Sequence, residues 1–174
     1  VPYYLAIGNH ETLYTGTLGV TSAVQQAAVG NKVFDFTGEI PGVQDVDELQ
    51  NGFRDASTRT AEVVRSGTTP ADPKRRIVPL DELLELIHDA GGEPKGHGLE
   101  LADALDGTGY YSFKPLPGKP IRFVVLNTLM NEPAHASGGI DKDQFEWLKI
   151  QLMRAKSAGE LVIVGGHHRL EDFT

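Results

Sequence analysis

The stretch from Gly109 to His168 constrains the fold most, because its hydrophobic period changes in a fixed order. Tyr110–Lys114 alternates like a half-buried strand. Leu116-Pro117-Gly118-Lys119 has turn chemistry and Pro120–Asn127 is strongly β-branched, so the two runs predict a hairpin. Asp141 then offers a helix N-cap side chain, and Phe145, Leu148, Leu152 and Ala155 form an apolar stripe toward Ala158. Gly159 stops that helix, and Leu161-Val162-Ile163-Val164 predicts a buried strand. Strand, helix and strand at this spacing make a βαβ-type unit in an α/β domain.

Upstream the pattern is weaker. Residues 2–8 predict a short buried strand closed by Gly8. Residues 12–43 are small, polar and glycine-rich and read as irregular, with a short helix expected at Ser22–Val29. Val46–Val64 has Leu49, Phe53, Ala56 and Thr60 on one helical face, and Ser66–Pro73 has the Gly and Pro punctuation of a loop. Pro79–His88 is an amphipathic helix ended by Gly91-Gly92.

Length and charge narrow the functional classes. The 174 residues suffice for one domain with a sizeable core, and 40% hydrophobic content describes a soluble globular chain. No run approaches the ~18 apolar residues of a membrane span. A net charge of -8 argues against a nucleic-acid scaffold, which needs a basic face, but leaves an anionic substrate open because bound cations reverse a local field. With no cysteine, the chain has no disulfide, no thiolate nucleophile and no cysteine zinc site.

Two apolar runs end alike. Ile7-Gly8-Asn9-His10 and Val164-Gly165-Gly166-His167-His168 each deliver a glycine and then metal-type ligands. In open α/β sheets, sites form beyond the carboxyl ends of strands, where glycine allows tight turns and close approach. A neutral imidazole and an amide oxygen both suit divalent Zn, Mn or Fe. The pattern predicts that Asn9, His10, His167 and His168 converge on one edge of a sheet whose two strands run parallel.

Gly8-Asn9-His10-Glu11 resembles the Gly-Asn-His-Asp/Glu motif of the calcineurin-like metallophosphoesterases, which include the purple acid phosphatases. Tyr110–Phe113, Ile121–Thr128, Gly139-Ile140-Asp141, Gln144–Leu148 and Gly166-His167-His168 resemble the same family in order and spacing. The resemblance implies an αββα sandwich, with residues 1–11 and 109–174 as its core and 12–108 as an inserted, partly helical cap. It implies two divalent metals (Mn, Fe or Zn), a phosphate ester substrate, and hydrolysis of a phosphomonoester or phosphodiester. By position, Asn9 and His167 resemble metal ligands, and His10 resembles the histidine acting near the leaving group. Glu11 would orient the turn. His168 would face substrate or support a ligand, and His97, between two glycines, is a further candidate for substrate contact beside its reading as a loop histidine.

The family site also uses an Asp-x-His and a Gly-Asp-x-x-Asp before Gly-Asn-His, and a Gly-His-x-His after the single histidine. None of the three occurs here. The sequence is therefore expected to be cut from a longer protein and, alone, to lack a complete dinuclear site. The alternatives are a non-catalytic binding or interaction module retaining the fold, and a stable α/β domain whose Asn-His and His-His turns are structural only.

Overall fold

The computed structural model describes residues 1–13, 16, 20, 22–36, 63–131, 134–135 and 137–173. The class is mixed α/β. Helices α1 (Asn9–Thr12), α2 (Ser22–Val29), α3 (Leu80–Asp89), α4 (Leu101–Leu105) and α5 (Lys142–Ser157) are joined by strands β1 (Lys32–Phe36), β2 (Val63–Thr68), β3 (Tyr111–Phe113), β4 (Ile121–Val125), β5 (Met130–Asn131), β6 (Ala134–His135) and β7 (Leu161–Gly165). The chain divides into two compact units, one of Val1–Thr12, Val78–Met130 and Ala136–Thr174, the other of Leu13–Ile77 and Asn131–His135. The stretch expected as an insertion, 12–108, contributes to both: Val78 onward belongs with the first unit.

In the first unit, β3 and β4 form the expected antiparallel hairpin, with Tyr111 opposite Val125 and Phe113 opposite Phe123. β7 returns through α5 to pair parallel with β4, Ile121 opposite Leu161 and Val125 opposite Gly165, giving the order β3-β4-β7. Parallel neighbours need such a crossover, and a helix supplies it. The core gathers Ile7, Leu84, Leu99, Ala104, Tyr111 and Val125, so α3 and α4 cover the hairpin. α3 has its acidic Asp81 and Glu82 in the first turn and His88 in the last, as the helix dipole favours.

Three expectations fail here. Residues 2–8 form no strand: the Tyr3 and Leu5 N–H groups donate to Glu93 O and His97 O, which belong to a loop rather than a ladder. Their aromatic side chains explain the run instead, Tyr3 stacking on His97 and Tyr4 on Phe113 with ring centroids 4.1 and 3.6 Å apart. β7 is an edge strand and is not buried; Leu161, Ile163 and Val164 are 63%, 42% and 47% exposed, on both faces of the sheet.

The third concerns α5, whose N-cap is the expected Asp141, accepting from Gln144 N at 2.7 Å. Phe145 and Leu152 are exposed, while Gln144, Gln151 and Ala155 are buried. Ala155 of the expected stripe is buried and Leu148 half-buried, while two amides are buried where Phe145 and Leu152 are not, because they satisfy sheet polar groups. Gln144 accepts from Asn127 N at 2.9 Å and donates to Asn127 O at 2.7 Å, replacing a ladder partner where β4 has ended. Ser112 Oγ donates to Gln151 Oε1 at 3.1 Å.

The second unit holds α2, as expected, and an antiparallel β1–β2 ribbon pairing Lys32 with Thr68, so Lys32–Phe36 is a strand where irregular chain was expected. Gln25 bonds both Ile77 N and Ile77 O, and Arg75 donates to Gly30 O and Pro70 O. Of the helix expected over Val46–Val64, residues 46–62 lie outside the described residues, and Val63 and Val64 begin β2. Ser66–Thr68, expected in a loop, continue that strand.

Candidate functional site

The Asn9-His10-Glu11-Thr12 sequence is one helical turn, α1, rather than a loop after a strand. Its start is closed locally, since Glu11 Oε2 accepts from Gly8 N at 2.9 Å, the reciprocal half of a capping box. Glu11 thus spends its carboxylate on the turn.

Gly8 has a second reason to be glycine. A Cβ there would stand 2.5 Å from the Cε1 and Nδ1 atoms of His167. The imidazole therefore lies over the Gly8 backbone, and its Nε2 is 3.1 Å from Asn9 Oδ1. Asn9 is buried, while His167 and His10 are exposed. His10 makes no side-chain hydrogen bond or ion pair among the described residues.

His168 turns the other way. It is half-buried, with Nδ1 2.8 Å from Thr128 Oγ1 and its backbone N–H donating to the same oxygen at 3.3 Å. Its ring meets His167 edge to face, centroids 4.8 Å apart. Gly138 leaves space for it, since a Cβ there would stand 2.4 Å from His168 Cβ. In the sequence Thr128 stands out only as the last residue of the Ile121–Thr128 block, with no role of its own.

His97 makes its contacts elsewhere. It is buried at a left-handed φ of +50°, between Gly96 and Gly98 at +73° and +105°. Its Nε2 is 3.2 Å from the Tyr3 hydroxyl, and its carbonyl accepts from Leu5 N and the Tyr111 hydroxyl. It anchors the segment leading to Asn9 rather than joining Asn9 and His167.

Asn9 Oδ1 and His167 Nε2, 3.1 Å apart, are within hydrogen-bonding distance, and the same separation is compatible with two neighbouring metal ligands. Ligands each ~2.1 Å from a metal, at octahedral or tetrahedral angles, stand roughly 3.0–3.4 Å apart. Among the described residues, no group of three or more His, Asp or Glu converges to complete a shell. No helix among them is long and apolar enough to cross a membrane. The chain matches no known protein-family model, no curated protein and no solved structure.

Proposed function

We propose that this chain contributes part of a dinuclear metal site for phosphoester hydrolysis, in the αββα architecture of the metallophosphoesterases. The observation that carries the reading is the contact of Asn9 Oδ1 with His167 Nε2 at 3.1 Å, the spacing of adjacent ligands on one ion. The two residues come from opposite ends of the sequence, and each belongs to a motif that resembles the family's.

In this reading Asn9 and His167 hold metal, and Gly8 lets the imidazole lie close enough to share it with the amide. His10, exposed beside them, holds or delivers the proton at the leaving-group oxygen. His168, fixed by Thr128, sets the edge of the substrate space. Bound metal supplies Lewis-acid stabilisation of the phosphoryl oxygens. Among the described residues none supplies a bridging carboxylate here, and without one two cations repel at close range, so these residues are expected to hold one ion.

Calorimetric titration with Zn or Mn tests the proposal. The 174-residue chain is expected to take up one ion weakly and to lose it in Asn9→Ala and His167→Ala. It should show no metal-dependent turnover of an aryl phosphate above its His10→Ala variant. A polypeptide that also supplies Asp-x-His, Gly-Asp-x-x-Asp and Gly-His-x-His should show turnover, and lose it on either substitution. Turnover there that survives both substitutions overturns the proposal.

A further inference from the structure

A cavity of about 520 Å³ in the first unit lies apart from the residues above: none of Asn9, His10, His167 or His168 lines it. Its volume is within the ~300–1,000 Å³ of small-molecule sites. Tyr110 and Trp147 line it as a ring pair, centroids 4.7 Å apart and planes inclined by 51°. Ser112 and the buried Gln151 line it as a hydrogen-bonded pair.

The charges of the lining are unequal in availability. Arg122 is bound to Glu160, its Nε 2.8 Å from the carboxylate. Arg154 and Lys95 are exposed and have no ion-pair partner among the described residues. The two acids, Glu100 and Asp103, both serve the capping box of α4, where Asp103 accepts from Glu100 N, and burial raises the Asp103 carboxyl above its ordinary value. Burial likewise raises the Tyr110 hydroxyl, so it remains a donor at neutral pH. The lining thus offers ring faces, spare N–H and O–H donors, and two uncommitted cations.

We propose that this cavity binds a flat aromatic anion of mononucleotide size, its ring against Tyr110 and Trp147 and its anionic group on Arg154, with Lys95 adding attraction. A guanidinium takes a carboxylate or phosphate through paired N–H donors, and aromatic side chains stack on any planar ring. This goes beyond the phosphoesterase reading and does not rest on it.

Trp147 is the chain's one tryptophan, so its fluorescence reports on this cavity directly. The metal-free chain is titrated with AMP, adenosine, inorganic phosphate and maltose. AMP is expected to quench saturably, and adenosine to bind about tenfold more weakly for want of the charge-assisted bond. Phosphate and maltose should leave the emission unchanged. Arg154→Gln should weaken AMP by about tenfold, and Lys95→Gln by a smaller factor; far-UV dichroism checks that both variants fold. No quench by AMP, equal affinity for adenosine and AMP, a response to maltose, or unchanged AMP affinity in both variants overturns the proposal.

Discussion

Asn9 and His167 are 158 positions apart in sequence, and the amide oxygen of one meets the imidazole Nε2 of the other at 3.1 Å. What permits the contact is the missing side chain of Gly8, over whose backbone the imidazole lies. Gly8→Ala should therefore separate the pair. Because His167 is exposed, its ring can swing clear, so the fold should lose less than about 1 kcal/mol. The imidazole nitrogen shifts of His167 should change and Zn uptake should fall. Unaltered shifts together with full Zn uptake would show that the close approach plays no part in metal binding.

Gly98 faces a harsher neighbour. A Cβ there would stand 2.1 Å from Cε2 of Tyr111, which is buried and held by two hydrogen bonds, and φ is +105°. Gly98→Ala combines backbone strain with an overpacked core, and a loss above ~3 kcal/mol is expected in urea denaturation. Gly118→Ala, at φ +73° with nothing within 4 Å of its Cβ, should cost only ~1–2 kcal/mol. Equal losses in the two variants would contradict the packing argument.

Tyr111 gives the chain a pH dependence on the alkaline side. Burial pushes its hydroxyl from the ordinary 10.0 up to about 12, while it donates to Leu5 O and His97 O at 2.8 and 3.1 Å. Since the folded value is the higher, its stabilisation is complete below pH 10 and is lost as pH rises toward 12. The loss is of order 2–3 kcal/mol over that interval. Tyr111→Phe should be less stable at neutral pH and should show a shallower alkaline decline in urea midpoints. A decline as steep as in the parent would assign the effect to other groups.

Gln144→Leu should look conservative by hydropathy and behave otherwise. It removes the partner of both Asn127 N and Asn127 O at a buried position. Leaving two buried backbone groups unpaired should cost roughly 2–4 kcal/mol, despite the gain in apolar surface. Thermal unfolding of the variant decides it: a midpoint equal to or above the parent's would mean that water or a backbone shift replaces the amide.

Local chemistry in the sequence determined much of the first unit. The Asp141 cap, the turn at Leu116–Lys119 and the β-branched run after it define α5 and the β3–β4 hairpin without reference to distant residues. So does the periodicity of Pro79–His88, which became α3. The meeting of residues near Asn9 with those near His167 was also expected, but from a pair of parallel strands that does not exist. Tertiary structure decided how they meet: Tyr3, Leu5 and Tyr111 bind the first segment to the loop carrying His97, a set of long-range bonds that no local pattern encodes. It also decided which face of α5 is buried. Apolar spacing favoured Phe145 and Leu152, yet Gln144 and Gln151 lie inside because the groups they satisfy, Asn127 and Ser112, belong to the sheet they pack against. Leu161, Ile163 and Val164 stay exposed despite their hydropathy for the same reason: hydropathy states what a strand can cover, while exposure depends on which neighbours reach it.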